Sequence, residues 1–437
     1  MKQHHLVLNT LLALVLVAGT AHAQASGGAA VARSQSGFGG GASKLVGVPT
    51  FTAPGFQVGR AALHPTLDLS FGYDSNVFYA DKSENPDGSV FLTIAPGLFL
   101  ANGAQSKASK VLYSLFLGGD YKRYFQELTG RTQRDFFGAN LAGRLNLFPT
   151  GIFGFDLHET FVRTSEPRYA TSNQNFDRDS NTAGLGFSLR PGGGLLQFRL
   201  GYRFALNMFE DSSMKGGSYY YHQVEFLAKW KFFPQTSFWL GATWQYMHYT
   251  GSFGTYTNSD SKPLRAMLGV TGRFVPKLVL NAGIGYSYSW YDKGPNYNLP
   301  IAMLDVTWEI GPFAKLSVGY QHNFQDVMWG NYYNVDTAYL SYYQMIAQKV
   351  ELNGTFRWLL AGYEGFSDPL AGTAFDRKDN AISLGLSGIY HVTTWFAAGL
   401  SYQLFANFSN FSQNSGGVVS KPSYVKHIAL LTARFSY

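Results

Sequence analysis

The sequence predicts an all-β protein, a transmembrane up-and-down antiparallel β-barrel of about 18 strands. The first observation behind this prediction is the alternation of side chains in the last residues, 424–437. Val425 and every second residue as far as Tyr437 share one face, while Lys426, Thr432, Arg434 and Ser436 lie on the other. Such a strand suits lipid on one side and water on the other. The alternative for these residues alone is the closing strand of a soluble β domain.

The second observation is an export signal in residues 1–23. Lys2 gives a basic start, Leu11 to Val17 form an apolar run, and Ala21 to Ala23 form a small-residue cleavage site, which together predict a secretory signal peptide. No later apolar stretch reaches the roughly 18 residues of a transmembrane helix. An exported chain of this kind either stays soluble in the periplasm or closes into a barrel.

The third observation is the composition. Charged residues make up 14% of the chain, below the roughly 25% of a soluble domain, while apolar content is 46%, as expected when apolar residues are spread by alternation. Aromatic residues at 16% and 49 glycines suit interfacial girdles and tight turns. The absence of cysteine excludes disulfides and thiolate metal ligands. No run of like charges supports nucleic-acid binding.

After the signal peptide, residues 24–60 are rich in Gly, Ala and Ser without any period, which predicts a flexible periplasmic segment. The glycines of 39–41 resemble a phosphate cradle, but no strand precedes them and no helix follows, so a plain linker is the better interpretation. The barrel is predicted to occupy residues 61–437.

From Ala61 the chain repeats one unit of strand, tight turn, returning strand and longer polar loop. Eight turns and nine loops join the strands, and an even strand number places the short turns and both termini in the periplasm. None of the loops is long enough to predict a plug or constriction. The strand near 335–348 mixes aromatic and polar groups on both faces, which leaves its lipid-facing register open. The turns are predicted at 102–109, 148–151, 191–194, 233–236, 275–277, 311–314, 347–349 and 391–394.

A barrel of this size leaves an aqueous channel. The alternation predicts a charged inner wall with a mild excess of cations, which favours neutral or anionic solutes unless the charges simply wet the wall. Four aromatic residues are also placed on the inner face, as a sugar-stacking track or as ordinary wall packing. The predicted pore-lining residues are Arg144, Asp156, Arg199, Arg203, Glu225, Lys229, Lys231, Arg273, Asp305, Glu309, Arg357 and Arg434. The candidate sugar contacts are Trp239, Tyr249, Tyr291 and Trp395.

Residues 64–77 (HPTLDLSFGYDSNV) resemble the first strand of the β-barrel porin 2 family, with its His-Pro opening and its turn at Tyr-Asp-Ser-Asn-Val. The C-terminal aromatics Phe435 and Tyr437 look like the signal that the barrel-assembly machinery reads. Members of this family are outer-membrane barrels often found with exopolysaccharide production. The resemblance therefore implies a surface polysaccharide as cargo and a periplasmic polysaccharide-export protein as partner.

Taken without the family, Asp74 to Asn76 are turn formers that cap a strand. Asp74 with Asp81, Glu84 and Asp87 could hold calcium, but their spacing fits no EF-hand and a solvated loop explains them. We predict no metal and no cofactor.

The predicted function is an outer-membrane channel in contact with lipid. Exopolysaccharide secretion is the favoured route, a general diffusion porin for small neutral or anionic solutes is the alternative, and a surface adhesin or scaffold is the third hypothesis. A TonB-dependent transporter is disfavoured because 24–60 is too short for a plug domain. No enzyme is predicted, since the histidines are scattered without G-x-S-x-G or H-E-x-x-H spacing.

Overall fold

The computed structural model describes residues 55–102, 110–125, 135–164, 177–254, 256–327, 330–367, 374–415 and 418–437. In these ranges the chain is mostly β-strand, with short 3-10 turns at Lys82–Glu84, Gly192–Gly194 and Ser212–Gly217. Among the described residues, no helix is long and apolar enough to cross a membrane.

The strands are numbered in chain order. The first eleven are β1 (Phe56–Val58), β2 (Ala61–Asp74), β3 (Ser89–Ala101), β4 (Val111–Tyr124), β5 (Phe136–Leu147), β6 (Phe153–Thr164), β7 (Arg178–Leu189), β8 (Leu196–Phe209), β9 (Tyr219–Phe233), β10 (Thr236–Tyr249) and β11 (Ser261–Val275). The rest are β12 (Leu278–Tyr291), β13 (Tyr297–Gly311), β14 (Ala314–Asp326), β15 (Tyr332–Ile346), β16 (Val350–Ser367), β17 (Ala374–His391), β18 (Phe396–Ser409), β19 (Gln413–Ser415), β20 (Val418–Ser420) and β21 (Tyr424–Ser436).

Consecutive strands from β2 to β18 pair antiparallel, and β21 pairs with both β18 and β2. These 18 strands form a closed barrel, so its wall has no free edge. β19 and β20 form a separate two-stranded hairpin. The predicted fold class is confirmed.

The two ends of the barrel differ in the length of their connections. We call the end with the short connections the turn rim and the other end the loop rim. The eight short connections lie where the sequence predicts them. They are 102–110, 148–152, 190–195, 234–235, 276–277, 312–313, 347–349 and 392–395.

The two faces of the wall differ in chemistry, as β8 illustrates. Its outer face carries Leu200, which is 55% exposed, whereas Arg203 on the inner face is only 8% exposed. The same alternation settles β15, where Leu340 lies outside while Val335 and Tyr343 lie inside. Apolar side chains therefore cover the outside of the barrel and polar ones the inside.

The N-terminal end of the described chain is more ordered than the sequence predicted. β1 pairs with the start of β2, and the Phe56 ring lies 4.8 Å from the ring of Tyr437. The His64 Nδ1 atom lies 2.9 Å from the Tyr437 carbonyl oxygen. The prediction of a flexible segment over 24–60 is thus wrong for Phe56–Val58, because β2 offers an edge that β21 does not reach. Residues 1–54 lie outside the described residues.

Candidate functional site

The structure places the charged side chains singled out in the sequence on the inner face of the wall. Each lies at an inward position of its strand, opposite neighbours whose apolar side chains are exposed outside. Arg144 lies on β5; Asp156 on β6; Arg199 and Arg203 on β8; Glu225, Lys229 and Lys231 on β9; Arg273 on β11; Asp305 and Glu309 on β13; Arg357 on β16; and Arg434 on β21.

A charge network joins β6, β8 and β9. The Arg199 guanidinium lies 3.0 Å from Asp156 and 3.4 Å from Glu225, and Arg203 lies 2.8 Å from Glu225. Gly186 on the intervening strand makes this geometry accessible, because a Cβ there would lie 2.5 Å from an Arg199 nitrogen. Both arginines are therefore ion-paired with carboxylates of nearby wall strands.

Other inner-wall charges are paired in the same way. Arg273 lies 2.7 Å from Glu309, and Arg434 forms two-pronged hydrogen bonds with Asp68 across the β2–β21 seam. Tyr339 donates a hydrogen bond to Asp305. The sequence count did not include Asp68, so the excess of cations predicted for the lumen is smaller by one.

The four candidate sugar contacts occupy different environments. Trp239 is 3% exposed and packs against Met267 and Ile301, so it fills the wall. Tyr249 and Tyr291 lie on the inner face at the loop rim. Trp395 is corrected: it lies in the 392–395 turn, is 50% exposed, and its ring stacks 6.3 Å from the outward Phe435. The step from a strand to a turn ends the alternation, so Trp395 belongs to an outer aromatic girdle.

A hairpin tip folds into the lumen near the loop rim. β14 pairs with β13 only up to His322, whereas it continues to pair with β15 as far as Asp326. Above His322, β14 parts from β13, while β15 stays paired with β16 as far as Tyr332, and we call residues 323–327 and 330–333 the hairpin tip. Phe324 and Val327 of this tip are almost fully buried. The tip therefore folds into the barrel instead of extending the wall.

The contacts of the hairpin tip show how far it reaches. The Phe324 ring stacks 4.0 Å from Tyr297 and lies 4.3 Å from the Arg265 guanidinium carbon. Tyr249 on β10 donates a 3.5 Å hydrogen bond to the Val327 carbonyl. Because β10 and β14 are four strands apart, about 19 Å along the wall, this contact crosses the strands between them on the inside of the barrel.

Polar contacts also hold the hairpin tip in place. Tyr291 donates a 2.7 Å hydrogen bond to Asp326. The Asn331 amide donates to the carbonyls of Lys293 and Pro295, at 2.7 and 2.8 Å. The sequence analysis predicted no loop long enough to form a plug or constriction. The hairpin tip is short and lies in the lumen because β14 parts from β13, which loop length does not reveal.

A second inward segment follows β2. The Asn76 amide donates to the carbonyls of Ala80 and Val425, and Asn76 accepts from the Ala80 amide. Asp74 accepts a hydrogen bond from the Asn76 backbone and forms a buried 2.8 Å ion pair with Lys426. The Tyr-Asp-Ser-Asn-Val sequence thus caps β2, as its turn formers predict, and also ties the first barrel strand to the last.

Asp81, Glu84 and Asp87 are partly exposed in the loop that follows β2, whereas Asp74 is buried. Among the described residues, no group of three or more His, Asp and Glu side chains could hold a metal ion. Partial burial opposes ionisation of Asp81, but hydrogen bonds from the Ser83 hydroxyl and amide outweigh it and lower the pKa of Asp81.

Three histidines form part of a polar belt on the outer face. His222 lies 2.7 Å from the Tyr202 hydroxyl, His427 lies 2.8 Å from that of Tyr402, and His322 lies 2.8 Å from Asp336. Each pair joins two neighbouring strands toward the loop rim, at the level expected of a membrane interface.

Sequence reasoning missed the residues that define the constriction. Arg265 is 3% exposed and lies beneath the hairpin tip, with Phe324 and Tyr297 stacked above it. Alternation along β11 places Arg265 inward, so that signal was available. The position of Phe324 had no signal, because alternation along β14 would put its side chain outside.

Comparison with known proteins gives similarity in structure only. No family model matches the chain, and no curated protein matches it in sequence. The FrpB iron transporter of Neisseria meningitidis is 8% identical with a TM-score of 0.48, covering 86% of this chain and 81% of its own. Pseudomonas aeruginosa OccK2 (OpdF) in complex with glucuronate is 11% identical with a TM-score of 0.47, covering 86% and 98%. Pseudomonas aeruginosa OpdQ is 11% identical with a TM-score of 0.44, also covering 86% and 98%. Similarities this low carry no information about substrate.

Proposed function

We propose that this protein is a gated channel of the bacterial outer membrane. The observation that carries the proposal is a closed barrel with an apolar outside and a charged, hydrogen-bonded inside, crossed by one hairpin tip. A barrel of this strand number surrounds enough space for an aqueous path. The asymmetry between short turns and longer loops supports an orientation with the turn rim in the periplasm.

The hairpin tip is the gate in this proposal. It is unpaired from β13 above His322 but stays paired with β16 through Tyr332 and Tyr333, so opening would move it away from the β13 side of the wall. Its return to the wall would release Tyr249 and Tyr291 into the lumen, where their rings could stack on sugars. Arg265 would be exposed at the same level.

The favoured cargo is a surface exopolysaccharide leaving the cell. The resemblance of residues 64–77 to the β-barrel porin 2 family supports this route, as does an inner wall that presents hydrogen-bonding groups and several arginines paired with carboxylates. Passive diffusion of small neutral or anionic solutes is the second candidate, supported by the same polar wall.

The gate is tested by planar-bilayer recording of the purified protein and a Tyr291→Phe/Asn331→Ala variant, which loses the hydrogen bonds to Asp326 and to the 293–295 segment. Tyr402→Phe is the matched control, because it removes an outward hydrogen bond to His427. We expect rare openings in the wild type and the control, and frequent openings in the gate variant. Equal conductance in all three would exclude the hairpin tip as the gate, and the absence of any conductance would refute a channel.

Cargo is tested by deleting the gene. Loss of one surface polysaccharide with unchanged uptake of small hydrophilic solutes supports secretion. Intact surface polymers with slower solute uptake would refute secretion and support a diffusion porin.

A further inference from the structure

The turn rim carries charge of one sign. In the turns that the structure describes, five cationic residues occur and no Asp or Glu. They are Arg60, Lys110, Arg190, Lys277 and Lys349. In the described loops of the other rim, the cations Lys82, Lys215, Lys293 and Lys421 are outnumbered by the acids Asp81, Glu84, Asp87, Asp135, Asp177, Glu210, Asp211, Asp260 and Asp292. The two ends of the barrel are therefore opposite in charge.

The cations of the turn rim are spread around the whole circumference. Lys110, Arg190, Lys277 and Lys349 occupy every second turn, those before β4, β8, β12 and β16. The turns between them carry exposed apolar side chains, including Phe148 and Phe313. Because consecutive turns are neighbours in an up-and-down barrel, basic and apolar turns alternate as a ring. A partner that bound one side of the rim would need basic residues along one arc only, so a complete ring suits a partner that covers the whole mouth.

The positive charge continues from the ring into the lumen. Lys229 and Lys231 project inward on β9 within five residues of its turn-rim end. In the described part of the chain, their ammonium groups have no carboxylate within ion-pair distance. Lipid cannot reach the inner face of a closed barrel, so phospholipid headgroups do not account for these two lysines. The positive surface therefore faces the water at the mouth.

We infer that the turn rim is the docking surface for an acidic periplasmic protein that covers the mouth of the barrel coaxially. The inference rests on the orientation given under the proposed function. A negative ring or face on the partner would meet the four alternating basic turns, and the apolar turns would supply the desolvated contacts that long-range charge attraction lacks. Such a partner would bring the cargo to the lumen or seal it.

The binding test uses fluorescent poly-L-glutamate as the acidic polypeptide and the full barrel in phosphatidylcholine nanodiscs, where both rims are accessible. The rim variant combines Lys110→Gln, Arg190→Gln, Lys277→Gln and Lys349→Gln. Its matched control combines Lys82→Gln, Lys215→Gln, Lys293→Gln and Lys421→Gln. We expect the rim variant to bind about tenfold more weakly, as for the loss of four exposed ion pairs, and the control to bind at least as well as wild type. Heat-modifiable gel mobility verifies that both variants fold.

The site of binding is located with single cysteines, since the natural chain has none. A donor dye on Gln235→Cys at the turn rim should show energy transfer to the labelled polymer, and one on Ser83→Cys at the loop rim should not. Transfer from Ser83→Cys, or unchanged binding by the rim variant, would overturn the inference. The inference would also be overturned if the rim variant bound poly-L-glutamate normally but lost a preference for phosphatidylglycerol. That result would mean that the cations of the turn rim bind lipid headgroups.

The same cysteines separate this inference from the orientation on which it rests. In whole cells, a membrane-impermeant maleimide should label Ser83→Cys and leave Gln235→Cys unmodified. The opposite pattern would refute a periplasmic turn rim and with it a periplasmic partner, even if the nanodisc experiment shows that this rim binds acidic polypeptide.

Discussion

Replacing Leu400 with arginine tests whether the outer face of the barrel meets hydrocarbon. Leu400 is 67% exposed, and the next residue, Ser401, faces the lumen. Leu400 lies four residues above the turn-rim end of β18. With a rise of about 3.4 Å per residue and a tilt of about 40°, this places it about 10 Å into an apolar band about 25 Å tall. Arginine near the midplane costs about 2 to 4 kcal/mol.

The measurement is the free energy of unfolding in phospholipid vesicles, followed by tryptophan fluorescence during a denaturant titration. The free energy of unfolding should fall by the full amount of about 2 to 4 kcal/mol in Leu400→Arg. In Ser401→Arg, on the same strand, it should fall by less than about half of that, because the arginine there meets water and polar neighbours. Equal losses for both variants would mean that the faces are misassigned or that the lumen is too narrow at this level to admit a charged side chain.

Two further predictions concern the closure of the barrel. Asp74→Ala should cost about 3 to 5 kcal/mol because it strands the buried Lys426, and Asp74→Ala/Lys426→Met should recover most of that loss. The control is Lys262→Ala, which breaks the exposed ion pair between Lys262 and Asp292 and should cost less than about 1 kcal/mol. Equal unfolding free energies for Asp74→Ala and Lys262→Ala would contradict the stabilising role of the buried pair. Deleting Phe435 to Tyr437 should abolish heat-modifiable gel migration and lower the amount of protein in the outer membrane. The reason is that the Tyr437 amide donates a hydrogen bond to the Pro65 carbonyl and the Tyr437 carbonyl contacts His64. Normal folding of the shortened chain would contradict an assembly role for these residues.

The features that could be predicted from sequence are those with a strict period. Side chains of a strand alternate between lipid and water, so the sequence predicts which residues of β8, β9 and β21 share a face. Tight turns were equally predictable, because proline and glycine mark them. β15 was not, since tyrosines occur on both of its faces and a tyrosine satisfies either environment.

The constriction could not be predicted, because it depends on where one hairpin stops pairing with its neighbour. Nothing in residues 323–326 distinguishes a strand that stays in the wall from one that leaves it. Phe324 would be a normal outward residue in a regular strand, and only its packing on Tyr297 and Arg265 shows otherwise. The ion pairs could not be predicted for a similar reason, since an arginine and its carboxylate partner lie on different strands.

The group of hydrogen bonds around Asn76 has a consequence for the order of events during biogenesis. Its amide donates to Val425, which is separated from it by 349 residues, and Ser75 exchanges hydrogen bonds with His427 across a similar separation. Contacts between such distant parts of a chain form late, because the intervening polypeptide must first be ordered. A growing sheet would thus remain laterally open between β2 and its future neighbour until translation and delivery of the last strand. The barrel then closes as β2 pairs with β21 and the hydrogen bonds of Ser75 and Asn76 form at the loop rim. A chain that lacks the last strand therefore cannot close the barrel.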